Sequence, residues 1–104
     1  MKPMFSIIDH DGRLLSRLEV KAGADGHEID VSFERDFTRS LSANKLREAR
    51  ETHRMLCQVF PQNRFVVVQI SKRRDGGYVV DLPDGERPVW ISQAVESLGG
   101  TLVA

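Results

Sequence analysis

Cys57 and His53 are the side chains in this chain whose types and spacing come nearest to covalent chemistry. They are four residues apart, and that spacing places two residues on one face of an α-helix. A cysteine nucleophile needs a neighbouring base, an orienting third group and an oxyanion loop, and no such group or loop stands out. Cys57 is therefore predicted to be an inert packed thiol, and the protein is predicted not to be an enzyme.

The three histidines raise the question of a metal site. His10 and His27 lie in or beside aspartate-containing turns, and these turns are expected to close opposite ends of one strand, too far apart to share an ion. His53 falls on the apolar stripe of a predicted helix, where histidine is more often a packing residue than a ligand. The glycine-rich pieces "DGG" and "LGG" match no phosphate-binding fingerprint. We therefore expect neither a metal nor a cofactor.

Two groups of basic residues could attract a partner. One precedes an Asp-Gly-Gly turn and the other shares one sector of a predicted helix: Lys72, Arg73 and Arg74, and Arg47, Arg50 and Arg54. Fifteen Lys and Arg balance fifteen Asp and Glu, so any attraction for a polyanion must be local. The first group is interpreted as the solvated tip of a hairpin. The alternative is nucleic-acid binding, which requires both groups on one continuous face.

Apolar and aromatic residues complete the candidate binding set. Met55 and Val59 lie on the helix side opposite the arginines and would form a contact patch if nothing covers them. Trp90 is interpreted as a core anchor, with an exposed binding hot spot as the alternative. The predicted binding residues are Arg47, Arg50, Arg54, Met55, Lys72, Arg73, Arg74 and Trp90.

The secondary structure that positions these residues begins at the N-terminus. Three short runs of alternating apolar and polar residues are separated there by Asp11-Gly12 and Asp25-Gly26. Asp-Gly between alternating runs predicts two-residue hairpin turns and hence a three-stranded meander. The register places Phe5 and Phe33 opposite Leu18 on an apolar face. On the charged face, Lys21 is set against Asp30 and Arg17 against Glu34.

A long helix is predicted within residues 42–60, with Ser42 as N-cap and Pro61 ending it. Its apolar stripe recurs at spacings of three and four and should cover the meander: Leu46, Ala49, His53, Leu56 and Phe60. Phe37 and Leu41 are predicted to anchor a turn or short helical segment before it.

A second hairpin follows, made of "RFVVVQIS" and "YVVDL" with a three-residue loop from Asp75 to Gly77 that sets Ile70 opposite Leu82. The tail predicts a short helix over 92–98 and a strand over 101–103. The expected fold is a single α+β domain over residues 1–104. It comprises an antiparallel sheet, formed by the meander and the second hairpin, packed against one long helix, with a short C-terminal helix and strand.

The composition of the 104 residues predicts the cellular compartment and the class of function. The single cysteine, the absence of a signal peptide and the lack of a long apolar run indicate a soluble cytoplasmic protein that does not bind membranes. With no convergent catalytic groups, we expect a non-enzymatic protein that binds another protein, as an adaptor, inhibitor or assembly factor in a microbial or phage setting. An exposed sheet edge, and a C-terminal strand that could pair within the chain or with a second copy, predict a homodimer.

Overall fold

The computed structural model describes residues 3–24 and 26–103, and for His27 its backbone. Within that part, the elements in chain order are β1 (Met4–Asp9), β2 (Leu14–Gly23), β3 (Gly26–Glu34), a 3₁₀ turn (Phe37–Arg39), α1 (Leu46–Val59), β4 (Phe65–Lys72), β5 (Tyr78–Asp81), α2 (Ile91–Ser97) and β6 (Thr101–Leu102). The strands form one sheet in the order β3-β2-β1-β4-β5-β6. The α+β class is confirmed. The expected all-antiparallel sheet is wrong in one respect, because β6 runs parallel to β5.

The centre of the sheet is the antiparallel pair β1 and β4, joined in register from Met4 opposite Ile70 to Asp9 opposite Phe65. Both strands are apolar at consecutive positions, so both of their faces need cover. On one face Val67 packs with Leu56 of α1, and on the other Val68 packs with Val95 of α2. The sequence prediction that one helix covers the meander is therefore corrected: α1 lies over β1 and β4, and α2 covers the opposite face.

The first turn is one residue longer than predicted. Ile8 lies opposite Leu14, so His10, Asp11 and Gly12 form a three-residue loop, with Gly12 at φ 80°. The carboxylate of Asp9, only 3% exposed, accepts hydrogen bonds from the backbone N–H of Asp11 at 3.0 Å and of Arg13 at 2.9 Å. Successive β1 side chains point to opposite faces of the sheet in any register; the one-residue change sets Ile8, rather than Asp9, opposite Leu14.

The N-terminal half of β1 pairs with the segment 41–43 rather than with β2. Phe5 and Ala43 exchange two backbone hydrogen bonds, of 2.9 and 2.8 Å, and the N–H of Leu41 donates to Leu15 at 2.7 Å. A bulge between Leu15 and Arg17 then bends β2 away. The predicted pairing of Phe5 with Leu18 is therefore wrong, since segment 41–43 lies between the two strands.

Beyond the bulge, β2 and β3 continue as a two-stranded hairpin, residues 17–23 and 26–32, which we call the arm. Leu18 faces Val31 and Val20 faces Ile29, two residues away from the predicted register, so apolar residues still share a face. The predicted pair of Arg17 with Glu34 is wrong: Arg17 Nη2 lies 2.9 Å from Asp30 Oδ2.

The arm's turn and one of its charge pairs also differ from the prediction. Lys21 lies opposite Glu28, not Asp30. The pairing continues to Gly23 opposite Gly26, so Gly26 belongs to the strand; Asp25 of the predicted turn lies outside the described residues.

The beginning of α1 also differs from the prediction. The helix starts at Leu46 with Lys45 at the N-cap position and no capping side chain. Ser42 cannot cap it because segment 41–43 is already paired with β1 and β2. The predicted apolar stripe is confirmed: Ala49 and Leu56 are buried, and Leu46 and Phe60 pack against them.

The second hairpin has the predicted loop length, but the loop is one residue earlier, over residues 74–76. Ile70 faces Val80 and Lys72 faces Tyr78, and the N–H of Arg73 donates to Gly77 at 2.7 Å. The positive φ of 92° at Gly76 suits the last position of such a loop.

Candidate binding site

A groove of about 670 Å³ lies at the end of the sheet where β1 begins. Its apolar walls come from Met4 and Ile70 of the paired central strands and from Phe37 and Tyr78. The two aromatic rings are stacked, with centroids 4.4 Å apart and planes 12° apart. Phe37 is buried, so the predicted anchoring role of this residue is confirmed, whereas Leu41 is exposed.

Asp36 holds the 3₁₀ turn that carries Phe37. Its Oδ1 accepts hydrogen bonds from the backbone N–H of Thr38 at 2.9 Å and from the Thr38 hydroxyl at 2.6 Å. The hydroxyl bond, then the backbone bond, lowers the pKa of Asp36 below its usual value, and the charge of Arg39 adds to this. The turn thereby holds Phe37 against Tyr78.

Lys72 supplies the positive charge of the groove. Its Nζ lies 6.0 Å from the centre of the Tyr78 ring, at the outer limit of a cation–π contact. Lys72, Arg73 and Arg74 are exposed, and none of them takes part in the ion pairs found among residues 3–24 and 26–103. The basic tip identified from sequence therefore adjoins a groove that the sequence did not reveal.

The helix arginines lie on the other face of the sheet. Arg50 Nε donates to Asp84 Oδ1 at 2.8 Å, and Arg50 Nη2 contacts the same oxygen; Arg47 Nε lies 3.5 Å from Glu51 Oε1. Lys72 shares the face of Ile70, which packs towards α2. The two basic groups that nucleic-acid binding would need together are thus divided, with Lys72 and α1 on opposite faces.

His53 and Cys57 are brought together as their spacing predicted, with 3.7 Å between Cys57 Sγ and His53 Nε2. The same nitrogen lies 2.9 Å from the carbonyl oxygen of Phe65. Because that oxygen only accepts, Nε2 carries the proton and cannot take one from the thiol. Burial, and then the negative charge of Glu86, raise the pKa of Cys57, which makes its thiolate scarce at neutral pH.

No group of three or more His, Cys, Asp or Glu arranged to hold a metal ion occurs in the described ranges. His10 lies near the first turn, where its Nδ1 is 3.4 Å from the backbone N of Arg64. The side chain of His27, considered as a ligand from sequence, lies outside the described residues.

The remaining predicted binding residues are partly covered. Met55 is half-buried, whereas Val59 is 41% exposed. Trp90 packs against the α2 side of the core, and its ring meets that of His10 edge-on at 6.4 Å. Trp90 is thus half-buried at the margin of the core, next to the almost fully exposed Val89.

The arm carries an apolar strip, although the sequence predicts that the long helix covers the apolar face of the meander. The strip consists of Leu18, Val20, Ile29 and Val31. Val20 is 54% exposed, and of the four only Val31 packs against the core under α1. The predicted helix cover does not extend to the other three, because α1 lies over β1 and β4 instead.

No protein-family model matches the chain, and neither a curated protein nor a solved structure matches it. In the part of the chain that the structure describes, neither helix is long and apolar enough to cross a membrane.

Proposed function

We propose that this is a small non-enzymatic binding protein that acts through protein–protein contacts, as an adaptor, inhibitor or assembly factor. The observation that supports the proposal is the arm, which presents the apolar strip beside the outer edge of β3. In the described sheet, β3 is the terminal strand and pairs only with β2. A free strand edge next to an apolar face is the surface used when a partner adds a strand.

Burial of the apolar strip would contribute part of the free energy of binding. Fully burying one large aliphatic side chain contributes about 1.5 to 3 kcal/mol, and Val20 is more than half exposed before binding. The opposite face of β3 carries Glu28, Asp30 and Glu34. Charges along an edge strand disfavour pairing with arbitrary strands. They therefore favour a partner whose charges complement those of β3.

Those carboxylates also bear on which chain could pair with β3. If two copies paired antiparallel along their β3 edges with Val31 at the centre, Glu28 of one copy would lie opposite Glu34 of the other. With Asp30 at the centre, the two copies of Asp30 would lie opposite each other. Like charges directly opposite each other destabilise a strand pair. We therefore propose a different chain as the partner of the β3 edge.

The homodimer predicted from sequence stays a prediction. β6, the strand invoked for it, pairs with β5 in the same chain. Sedimentation across concentration tests it: a mass that stays at that of one chain would count against a homodimer, and twice that mass would require a surface other than paired β3 edges.

The experiment that tests the proposed function compares Val20→Gln with Glu19→Gln. These changes introduce the same residue at neighbouring positions on opposite faces of the arm. Each protein, carrying a photo-crosslinker at Ile29, is used to capture partners in the source cells, with captured proteins quantified by mass spectrometry. We expect Val20→Gln to reduce the principal crosslinked partner about tenfold, equivalent to ~1.4 kcal/mol, and Glu19→Gln to leave it within about twofold, which is the scatter expected of a surface change.

Two results would contradict the proposal. One is equal capture by the wild type and both variants, and the other is no wild-type crosslink above a control with the crosslinker on exposed Gln93 of α2. Circular dichroism of each variant verifies that the sheet is intact.

A further inference from the structure

The groove beside Lys72 has the size and lining of a ligand site. Its volume of about 670 Å³ lies within the ~300 to 1,000 Å³ typical of small-ligand pockets. The stacked rings of Phe37 and Tyr78, together with Met4 and Ile70, give it apolar walls. Such walls favour a ligand with an apolar group.

Four serine and threonine hydroxyl groups line the groove, and those of Thr38, Ser40 and Ser42 have their protons committed to other atoms. Thr38 donates to the carboxylate of Asp36 and Ser40 Oγ donates to the carbonyl of Phe37 at 3.1 Å; neither acceptor can donate in return. Ser42 Oγ lies 3.1 Å from Ser40 Oγ, and since the Ser40 proton is in use, Ser42 is the donor. The three hydroxyls therefore offer lone pairs to a ligand.

Donors on the groove wall come from Lys72, and the side chain of Gln69 adds an amide. The ammonium has three N–H groups and no carboxylate within 4 Å among the described ion pairs. Arg73 and Arg74 follow in the exposed turn and, with Asp75 as its one carboxylate, leave this turn with an excess of positive charge. The charge complement of this end of the molecule is an anion.

We propose that the groove binds the carboxyl-terminal end of a partner polypeptide whose last residue is apolar. The α-carboxylate lies at Lys72, the last side chain packs on Met4 and Tyr78, which are only partly buried, and peptide N–H groups donate to the oxygens of Ser42 and Thr38. A peptide terminus supplies an apolar side chain, a carboxylate and N–H donors together, and capture of such termini is an established mode of recognition. A fatty acid lacks the N–H donors.

This inference goes beyond the proposed function, because the groove and the arm are separate surfaces. Acidic residues just before the peptide terminus should strengthen binding through Arg73 and Arg74, and salt should weaken that part of the affinity. The protein would thus hold one partner by a strand edge and another by its terminus.

The test uses fluorescein-labelled peptides of sequence Gly-Glu-Asp-Glu-X, with X as Val, Leu, Ile or Phe, each as free acid and as carboxamide. Fluorescence polarisation measures binding to the full chain. We expect at least one free acid to bind about tenfold or more tightly than its amide, corresponding to the ~1.5 to 3 kcal/mol of a hydrogen bond to a charged group. The free acid should also bind more tightly than the same peptide ending in Gly.

Matched variants separate a direct contact from general charge. Lys72→Gln should abolish the preference for free acid over amide, whereas Arg74→Gln should weaken both forms by the same factor, because it removes an equal charge outside the groove. Ser42→Ala should weaken both forms without changing that preference. Val20→Gln should leave peptide binding unchanged, so failure of the arm proposal and failure of this one are distinguishable.

Three results with the peptides would overturn the inference. They are equal affinity for acid and amide in every pair, absence of binding by the whole panel, and a preference for free acid that survives Lys72→Gln. Stronger binding of laurate than of any peptide, with the peptide displaced by it, would also overturn it, by identifying the groove as a lipid site.

Discussion

At the scale of single residues, Asp9 and Gly12 show how one side chain and one backbone angle set the first turn. Asp9 is buried, and its Oδ2 also accepts a hydrogen bond from Arg13 Nε at 2.9 Å. A buried carboxylate is tolerated when its oxygens are satisfied in this way. Gly12 has a positive φ and lies against α2, where a Cβ would come within 2.8 Å of the carbonyl oxygen of Ala94. Turn and helix are therefore fitted to each other.

Gly12→Ala is expected to destabilise the protein more than Gly76→Ala. Both glycines have positive φ, which costs a residue with a side chain about 1 to 2 kcal/mol, but a Cβ at Gly76 would meet nothing within 4 Å. The clash at Gly12 should raise the loss of unfolding free energy to about 3 kcal/mol or more, since overpacking adds ~1 to 3 kcal/mol. Urea unfolding of both variants measures the difference; equal losses would show that the α2 contact is absent.

Cys57 is expected to react with iodoacetamide at a higher pH than an unfolded cysteine does. Burial and Glu86 raise its pKa above the usual 9.0, so the folded state holds the proton more tightly. The resulting stability is present below about pH 9 and is lost as the pH rises through the folded pKa. The alkylation rate measured against pH in folded and urea-unfolded protein checks this. Glu86→Gln should move the folded profile to lower pH, and identical folded and unfolded profiles would contradict the prediction.

At the scale of elements, the local patterns predict where the strands and helices lie, but not every turn, cap or strand partner. The apolar stripe of α1 and the three-residue length of the second loop follow from residue spacing. The bulge between Leu15 and Arg17 and the insertion of segment 41–43 leave no comparable pattern, because they depend on backbone groups that any residue carries. The residue type of Ser42 predicts a helix cap, yet its segment is paired with strands.

Amide hydrogen exchange should divide the sheet into a slow centre and a fast arm. The amides of Val67, Val68 and Ile8 lie under helices on both faces and should exchange near the rate of global unfolding. The paired amides of the arm beyond Leu18, which neither helix covers, should exchange at least tenfold faster. Exchange followed by NMR tests this, and equal protection along β2 from Leu15 to Lys21 would show that the arm is covered in solution.

At the scale of the whole molecule, the principal dimensions of 49, 29 and 22 Å describe an elongated body. The two cores share β1 and β4 and differ in the helix that covers them. A substitution that destabilises one core should therefore also destabilise the other, because both cores pack on the same two strands. The arm beyond Val31 lies outside these cores, where a binding surface can vary at little cost to stability, whereas the groove is walled by Phe37 and Ile70 of the α2-side core.

Leu56→Ala in α1 and Ile91→Ala in α2 should each lower the unfolding free energy by about 2 to 5 kcal/mol, since both side chains are almost fully buried. Trp90 fluorescence, which reports the α2 side, and far-ultraviolet circular dichroism should give one coincident transition in each variant. Separate transitions in Leu56→Ala would show that the two cores unfold independently.

The sequence by itself determined the α+β class, the order of the elements, the helix stripe and the basic tip of the second hairpin. These features depend on residues close together in the chain, whose periods of about 2 and 3.6 reflect backbone geometry. Only the tertiary structure decided that β1 joins β4, that the helices cover opposite faces and that Phe37, Tyr78 and Lys72 form one groove. Such contacts join distant residues, and many pairings satisfy the same local pattern until one buries both faces of the central strands.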